Sequence, residues 1–247
     1  FVVLAQNDTV LIEQHEHFIK QSFRNRMEIF GVNGKLIQTG LEGFPDSRNS
    51  GERNHPGRLV IQPDDKILLT GTANGTFTQT IRFSLIRYNS DGTSDKQFNN
   101  GQLLVTQVVP NSVTYSNSIT LQKDNKIVVA GVNLNNGFCV LRFDSLGRRD
   151  LGFGKNGIKT DIAYATDLSR VVIQPDGRIL LAGEYHASSN AYDSGVIVLA
   201  RLNIDGTVDQ TFGQKGKVNL NLSIPNQDLI GDMAIDSKGR IFISGAT

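Results

Sequence analysis

What most limits the folds open to this chain is a repeat. The segment RLVIQPDDKILLTG (Arg58 to Gly71) returns as ITLQKDNKIVVAG (Ile119 to Gly131), RVVIQPDGRILLAG (Arg170 to Gly183) and DMAIDSKGRIFISG (Asp232 to Gly245). A degenerate first copy, VVLAQNDTVLI, runs from Val2 to Ile12. Each copy sets two short, β-rich apolar segments around a polar turn such as Pro175-Asp176-Gly177, the pattern of a hairpin. Gly71, Gly131, Gly183 and Gly245 close the second segment at intervals of 60, 52 and 62 residues, so insertions of variable length separate a constant core. Units of this kind bury their apolar faces against one another, which makes the chain an array.

A second motif follows the middle copies: FSLIRYNSDGTSDKQFNNG (Phe83 to Gly101), FCVLRFDSLGRRDLGFGKNG (Phe138 to Gly157) and IVLARLNIDGTVDQTFGQKG (Ile197 to Gly216). The first unit keeps only MEIFGVNGKL, from Met27 to Leu36. In each, a β-rich strand ends in a turn built on Asx and Gly, and a further strand follows, as in Lys217 to Leu222. Four antiparallel strands in about 55 to 60 residues make a propeller blade, whose radial repetition leaves only short, protected edges. The expected fold is therefore all-β: a β-propeller of four-stranded antiparallel blades. About 4.5 repeats are visible, in units 1–57, 58–117, 118–168, 169–229 and an incomplete 230–247. This amounts to about 18 strands where five closed blades need about 20, so the chain is expected to be part of a larger ring or protein, with six to eight blades as the alternative count.

The motifs QPDGRILLAG and RLNIDGTVDQTFGQKG resemble the delta-60 repeat, a family of tandem repeats in bacterial proteins that are often large and exported. The resemblance covers nearly the whole chain. It implies a propeller-like fold and a secreted or cell-surface bacterial setting, and it carries over no catalytic residue.

Charge and cysteine usage narrow the partners. The 25 basic and 24 acidic residues are scattered and leave a net charge of +1, which gives no electrostatic footprint for nucleic acid or an anionic membrane. No stretch approaches the roughly 18 consecutive apolar residues of a membrane-spanning helix, so no membrane insertion is expected. Cys139 is the only cysteine, which excludes an internal disulfide, and its place in Phe138-Cys139-Val140-Leu141 reads as a buried small hydrophobe.

Naming the strands a to d outward, the a–b and c–d turns fall on one face of the array and the b–c and d–a loops on the other. The repeated motifs occupy the first face, whereas the second carries loops that differ from copy to copy, where specific binding is expected. Arg53, His55, Phe77, Tyr115, Tyr185, His186, Tyr192 and Asp193 supply aromatic and charged groups there, suited to a glycan or a protein at the cell surface. On the first face, Asn89, Asp91 and Asp95, and again Asn203, Asp205 and Asp209, have the spacing of a short calcium loop. The third copy replaces the middle ligand by Leu146. Turn capping, with Phe98, Phe153 and Phe212 plugging between blades, is thus the first expectation, calcium the second, and no other cofactor is implied.

Arg87, Arg142 and Arg201 each precede an aspartate by eight residues, which predicts a bidentate, partly buried ion pair in every blade. His15 and His17 alternate on an extended segment without a third ligand beside them, and solvent-exposed loop histidines are expected. No nucleophile elbow, phosphate loop or zinc-binding helix motif is present. Loop carboxylates such as Asp46, Asp161, Asp167, Asp193 and Asp228 are the candidates for paired acid–base work. The expected function is a non-catalytic binding or scaffolding module. A polysaccharide-active hydrolase or lyase and a spacer in a surface fibre are the alternatives.

Overall fold

The computed structural model describes residues 2–6, 9–14, 26–31, 36–39, 55–75, 78–108, 113–185, 195–220 and 229–246. The chain divides into two compact units, Phe1–Gln107 and Val108–Thr247. The first unit holds two four-stranded antiparallel sheets in simple sequence order. One is β1 (Val2–Gln6), β2 (Thr9–Gln14), β3 (Arg26–Gly31) and β4 (Leu36–Thr39). The other is β5 (His55–Ile61), β6 (Ile67–Gly75), β7 (Thr78–Tyr88) and β8 (Leu104–Thr106).

The second unit holds three sheets. They are β9 (Thr114–Leu121), β10 (Ile127–Asn133), β11 (Gly137–Phe143) and β12 (Ile158–Lys159); then β13 (Asp167–Ile173), β14 (Ile179–Tyr185), β15 (Val196–Leu202) and β16 (Lys217–Leu220); then the pair β17 (Leu229–Ile235) and β18 (Ile241–Ala246). The four-stranded sheets are the antiparallel blades of a β-propeller. From the second sheet on, each innermost strand starts three to five residues before the apolar motif that marks it in the sequence.

In the second unit successive sheets stack face to face, which explains why strands b and c are continuous apolar runs and not alternating ones. Every residue of β10 and β11 is buried. The core lies between sheets: Val128, Val140 and Phe153 of one pack with Val171, Leu181, Ala200 and Leu202 of the next. Leu180, Ala182 and Leu199 pack in turn with Ile230 and Met233. Each fully buried large side chain of this kind contributes about 1.5–3 kcal/mol.

The recurrent glycine has a local cause. Gly71, Gly131, Gly183 and Gly245 pair with Pro56, Ser116, Leu168 and Ile230, and in all four hairpins the register shifts beside that pair. At Gly183 the bulge brings the strand-a backbone onto the glycine, where a side chain has no room. A β-carbon on Gly183 would lie 2.1 Å from the Asp167 carbonyl oxygen and 2.8 Å from the Phe138 ring.

Candidate functional site

The a–b and c–d turns are built first by backbone chemistry. The turn residue with positive φ is Asp65 (62°), Asn125 (61°), Gly177 (87°) or Gly239 (78°), the residue types that tolerate the left-handed region. In the c–d turns the same need falls on Gly92, Gly147 and Gly206. Between these turns sits one assembly in each of the second, third and fourth sheets. Arg142 Nε donates to Asp150 Oδ2 at 2.9 Å, its Nη1 donates to Gln122 Oε1 at 3.2 Å, and its guanidinium lies 4.5 Å above the Phe153 ring. Arg87 repeats this with Asp95, Gln62 and Phe98, and Arg201 with Asp209, Gln174 and Phe212.

The ion pairs expected from the eight-residue spacing are present, but for Arg142 and Arg201 the expected bidentate contact is not. Only Nε meets the carboxylate, because Nη1 is taken by the glutamine that ends strand a. A second cation reaches each aspartate from the a–b turn: Lys66 Nζ at 3.0 Å from Asp95, Lys126 Nζ at 3.8 Å from Asp150 and Arg178 Nε at 3.2 Å from Asp209.

The six residues with calcium-loop spacing are engaged within these turns. Asp91 Oδ1 accepts from the Thr93 amide (2.9 Å) and hydroxyl (2.7 Å), and Asn89 Nδ2 donates to the same hydroxyl at 3.0 Å. Asp205, Thr207 and Asn203 do likewise. Asp95 Oδ1 caps the Gln97 amide and Asp209 Oδ1 caps the Thr211 amide and hydroxyl. Among the described residues no group of three or more His, Cys, Asp or Glu is gathered so as to hold a metal ion. Phe98 and Phe153 are buried, and Phe153 presses on the backbone at Gly206 of the next sheet. Cys139 is buried, and desolvation pushes its thiol up, out of the range of a reactive thiolate.

The same contacts set the acid response. The Thr93 hydroxyl holds Asp91 below the usual aspartate value of 3.8, and the Thr207 and Thr211 hydroxyls act alike on Asp205 and Asp209. Burial works against Asp95, yet the Gln97 amide with Lys66 and Arg87 keeps it low as well. A carboxylate lowered on folding adds stability that is complete above its unfolded value and is lost as the pH falls through its folded one. Thermal melts are therefore expected to change little through these groups from pH 7 to 5 and to fall steeply below about pH 4. A melting temperature at pH 3 equal to that at pH 7 would contradict this.

On the loop face of the second unit, Tyr185 ends β14 and Tyr115 lies in β9, both half-buried against the core between the sheets. The sequence reading missed their neighbour Tyr164, which stands in the d–a loop between β12 and β13 and is 53% exposed. Its ring meets that of Tyr185 edge to face, with centroids 5.2 Å apart. Gly137 allows this, since a β-carbon there would lie 2.6 Å from the Tyr164 α-carbon. Asn136 Nδ2 donates to Asp161 Oδ1 at 2.8 Å, and Asn117 Nδ2 to Asp167 Oδ1 at 2.8 Å. Two of the candidate loop carboxylates are thus bound to amides. Of the other expected ligand contacts, His55 begins β5, but its side chain lies outside the described residues. Arg53, Phe77, His186, Tyr192 and Asp193 also lie outside them.

The chain thus belongs to the class of repeat-built β-propellers. Residues 62–98 and 174–212 match the family model described as "Domain of unknown function (DUF5122) beta-propeller". Both matches start at the glutamine and end at the phenylalanine of the arginine assembly. None of the curated proteins compared with the chain matches it. Solved structures share the fold. The native arabinanase Arb43A of Bacillus subtilis has a TM-score of 0.57 at 13% identity, over 98% of this chain and 92% of its own. A GH43 endo-arabinanase from Bacillus licheniformis has 0.56 at 12%, over 98% and 91%. The K499G mutant of NanB sialidase from Streptococcus pneumoniae has 0.55 at 13%, over 96% of this chain and 38% of its own.

Proposed function

We propose that this chain is a non-catalytic binding module of an exported or surface bacterial protein, which takes its ligand, a glycan or a protein, on the b–c and d–a loops. The observation that carries this is the Tyr164–Tyr185 pair. Tyr164 offers an amphipathic ring held in place by its neighbour, at low entropic cost. Asp161, three residues away in the same loop, is held by Asn136 of the b–c turn, and this amide–carboxylate pair offers further hydrogen bonds, a combination that favours a glycan. The resemblance of the repeats to the delta-60 family supports the exported setting, and no helix among the described residues is long and apolar enough to cross a membrane.

The likeness to proteins titled arabinanase and sialidase favours a second reading, a polysaccharide-active hydrolase or lyase. Glycan-array binding combined with a reducing-end assay separates the two. Binding without new reducing ends supports the module, and released sugar sinks it. Tyr164→Ala is expected to weaken binding about tenfold while the melting temperature stays put, since an exposed ring contributes to contact and not to the core. Undiminished affinity in that variant would remove Tyr164 from the site.

A further inference from the structure

We propose that the c–d turn of the third blade, together with Ile204 of the fourth, is a docking surface for an acidic, apolar segment of a partner protein. It lies on the turn face, away from Tyr164, and so stands apart from the reading above.

The third c–d turn keeps the contacts that hold its blade together and changes most of the rest. Arg142, Gly147, Asp150 and Phe153 fill the same roles as their counterparts in the second and fourth blades. Yet Leu146 stands where those blades have Asp91 and Asp205, and Arg148 where they have Thr93 and Thr207. Arg149 replaces Ser94 and Val208, and Leu151 replaces Lys96 and Gln210. Blade construction does not require these exchanges, because the turns of the second and fourth blades are built without them.

With Ile204, the exchanges bring large apolar side chains to the surface. Leu146 is 45% exposed, Leu151 69% and Ile204 54%. The two turns are joined, since Gly154 N donates to the Asp205 carbonyl at 2.8 Å and Arg142 Nη1 donates to that of Ile204. Ile204 rests on Gly177, and with Gly152 it lines an open cleft of about 550 Å³ whose charged lining is balanced, Arg142 and Arg178 standing against Asp176 and Asp205. From Asp144 to Gly157 the turn has three cations and two carboxylates, where its counterparts in the second and fourth blades each have one cation and two carboxylates.

Within it, Arg148 is paired with Asp144 and Asp150 with Arg142. Arg149 and Lys155 are exposed and carry no ion pair among the described residues. A segment alternating carboxylates with leucine-like side chains matches this surface: the acids meet Arg149 and Lys155, and the apolar groups cover Leu151 and Ile204. A basic segment would set like charges together.

The test uses the 247-residue chain and two fluorescein-labelled octapeptides, one alternating glutamate with leucine and one alternating lysine with leucine. The acidic peptide is expected to bind with a dissociation constant of roughly 100 μM. Leu151→Gln and Arg149→Glu are each expected to weaken it about fivefold or more, an effect the size of one exposed apolar or charged contact. Tyr164→Ala should leave it unchanged, and far-UV circular dichroism checks that each variant is folded. No binding of the acidic peptide at about 1 mM, equal binding of both peptides, or affinities insensitive to both patch variants would each overturn the proposal.

Discussion

Gly183→Ala is expected to cost the second unit about 3 kcal/mol or more of stability, enough to leave much of it unfolded at 37 °C. The added carbon would lie 2.1 Å from the Asp167 carbonyl oxygen, 2.8 Å from Phe138 Cε1 and 3.0 Å from the Leu168 α-carbon. Two of these atoms are backbone of the bulged strand, and the third belongs to a ring that is fully buried between sheets. None is the free end of a flexible side chain, so relief requires opening the β13–β14 pairing or expelling Phe138 from the core. Gly231→Ala is the control. It sits at the bulge of the last hairpin, its nearest contact is an ordinary 3.6 Å from the Ser244 carbonyl oxygen, and it is expected to cost under about 1 kcal/mol. The chain has no tryptophan, so urea denaturation followed by far-UV circular dichroism is the suitable readout. A Gly183→Ala midpoint equal to that of Gly231→Ala would show that the bulge can yield.

The glycine illustrates how much of the fold the sequence carried. Its recurrence was plain, but strand b runs on one to four residues past the glycine and does not end there, and the reason for it was hidden because the close approach comes from a register shift in the opposite strand. The eight-residue interval between arginine and aspartate was equally plain, since both residues belong to one strand and its following turn. The glutamine that takes the second N–H is 20 to 27 residues distant along the chain, at the end of a different strand. A pairing rule written on one strand and its turn therefore predicted a bidentate contact and missed the actual partner.

Tyr164 was missed for another reason. It belongs to a short d–a loop with no repeated motif and little polar composition, and its importance comes from Gly137, on a different connection, making room for its backbone. Loop geometry of this kind depends on two segments at once, whereas the repeat is a property of each segment alone. The turn face thus looked like scaffold because it repeats, and only the departures at Leu146, Arg149 and Leu151, seen together with their exposure, separate a surface from a frame.

The arginine assembly sets the second large effect. Arg142→Ala is expected to destabilise the second unit by about 3–5 kcal/mol, the range for removing one partner of a buried ion pair. The Arg142 side chain is 6% exposed and that of Asp150 18%, so solvent screens neither strongly. Its loss leaves Asp150 with the Gly152 amide at 3.1 Å and Lys126 as its one cation at 3.8 Å, and strips Gln122 Oε1 and the Ile204 carbonyl of a donor. It also bares the buried Phe153 ring that joins this sheet to the next. Arg201→Ala is expected to cost less, about 2–3 kcal/mol, because its aspartate retains Arg178 at 3.2 Å and no bond to the following sheet is lost. Arg142→Met separates charge from packing. If the stem over Phe153 carries the effect, methionine restores most of the stability; if the polar bonds carry it, methionine falls close to alanine, which is the outcome expected from three donor–acceptor contacts broken at once. Urea denaturation of the three variants decides the matter, and a loss below about 1 kcal/mol in Arg142→Ala would mean that the repeated arginine is not what ties one blade to the next.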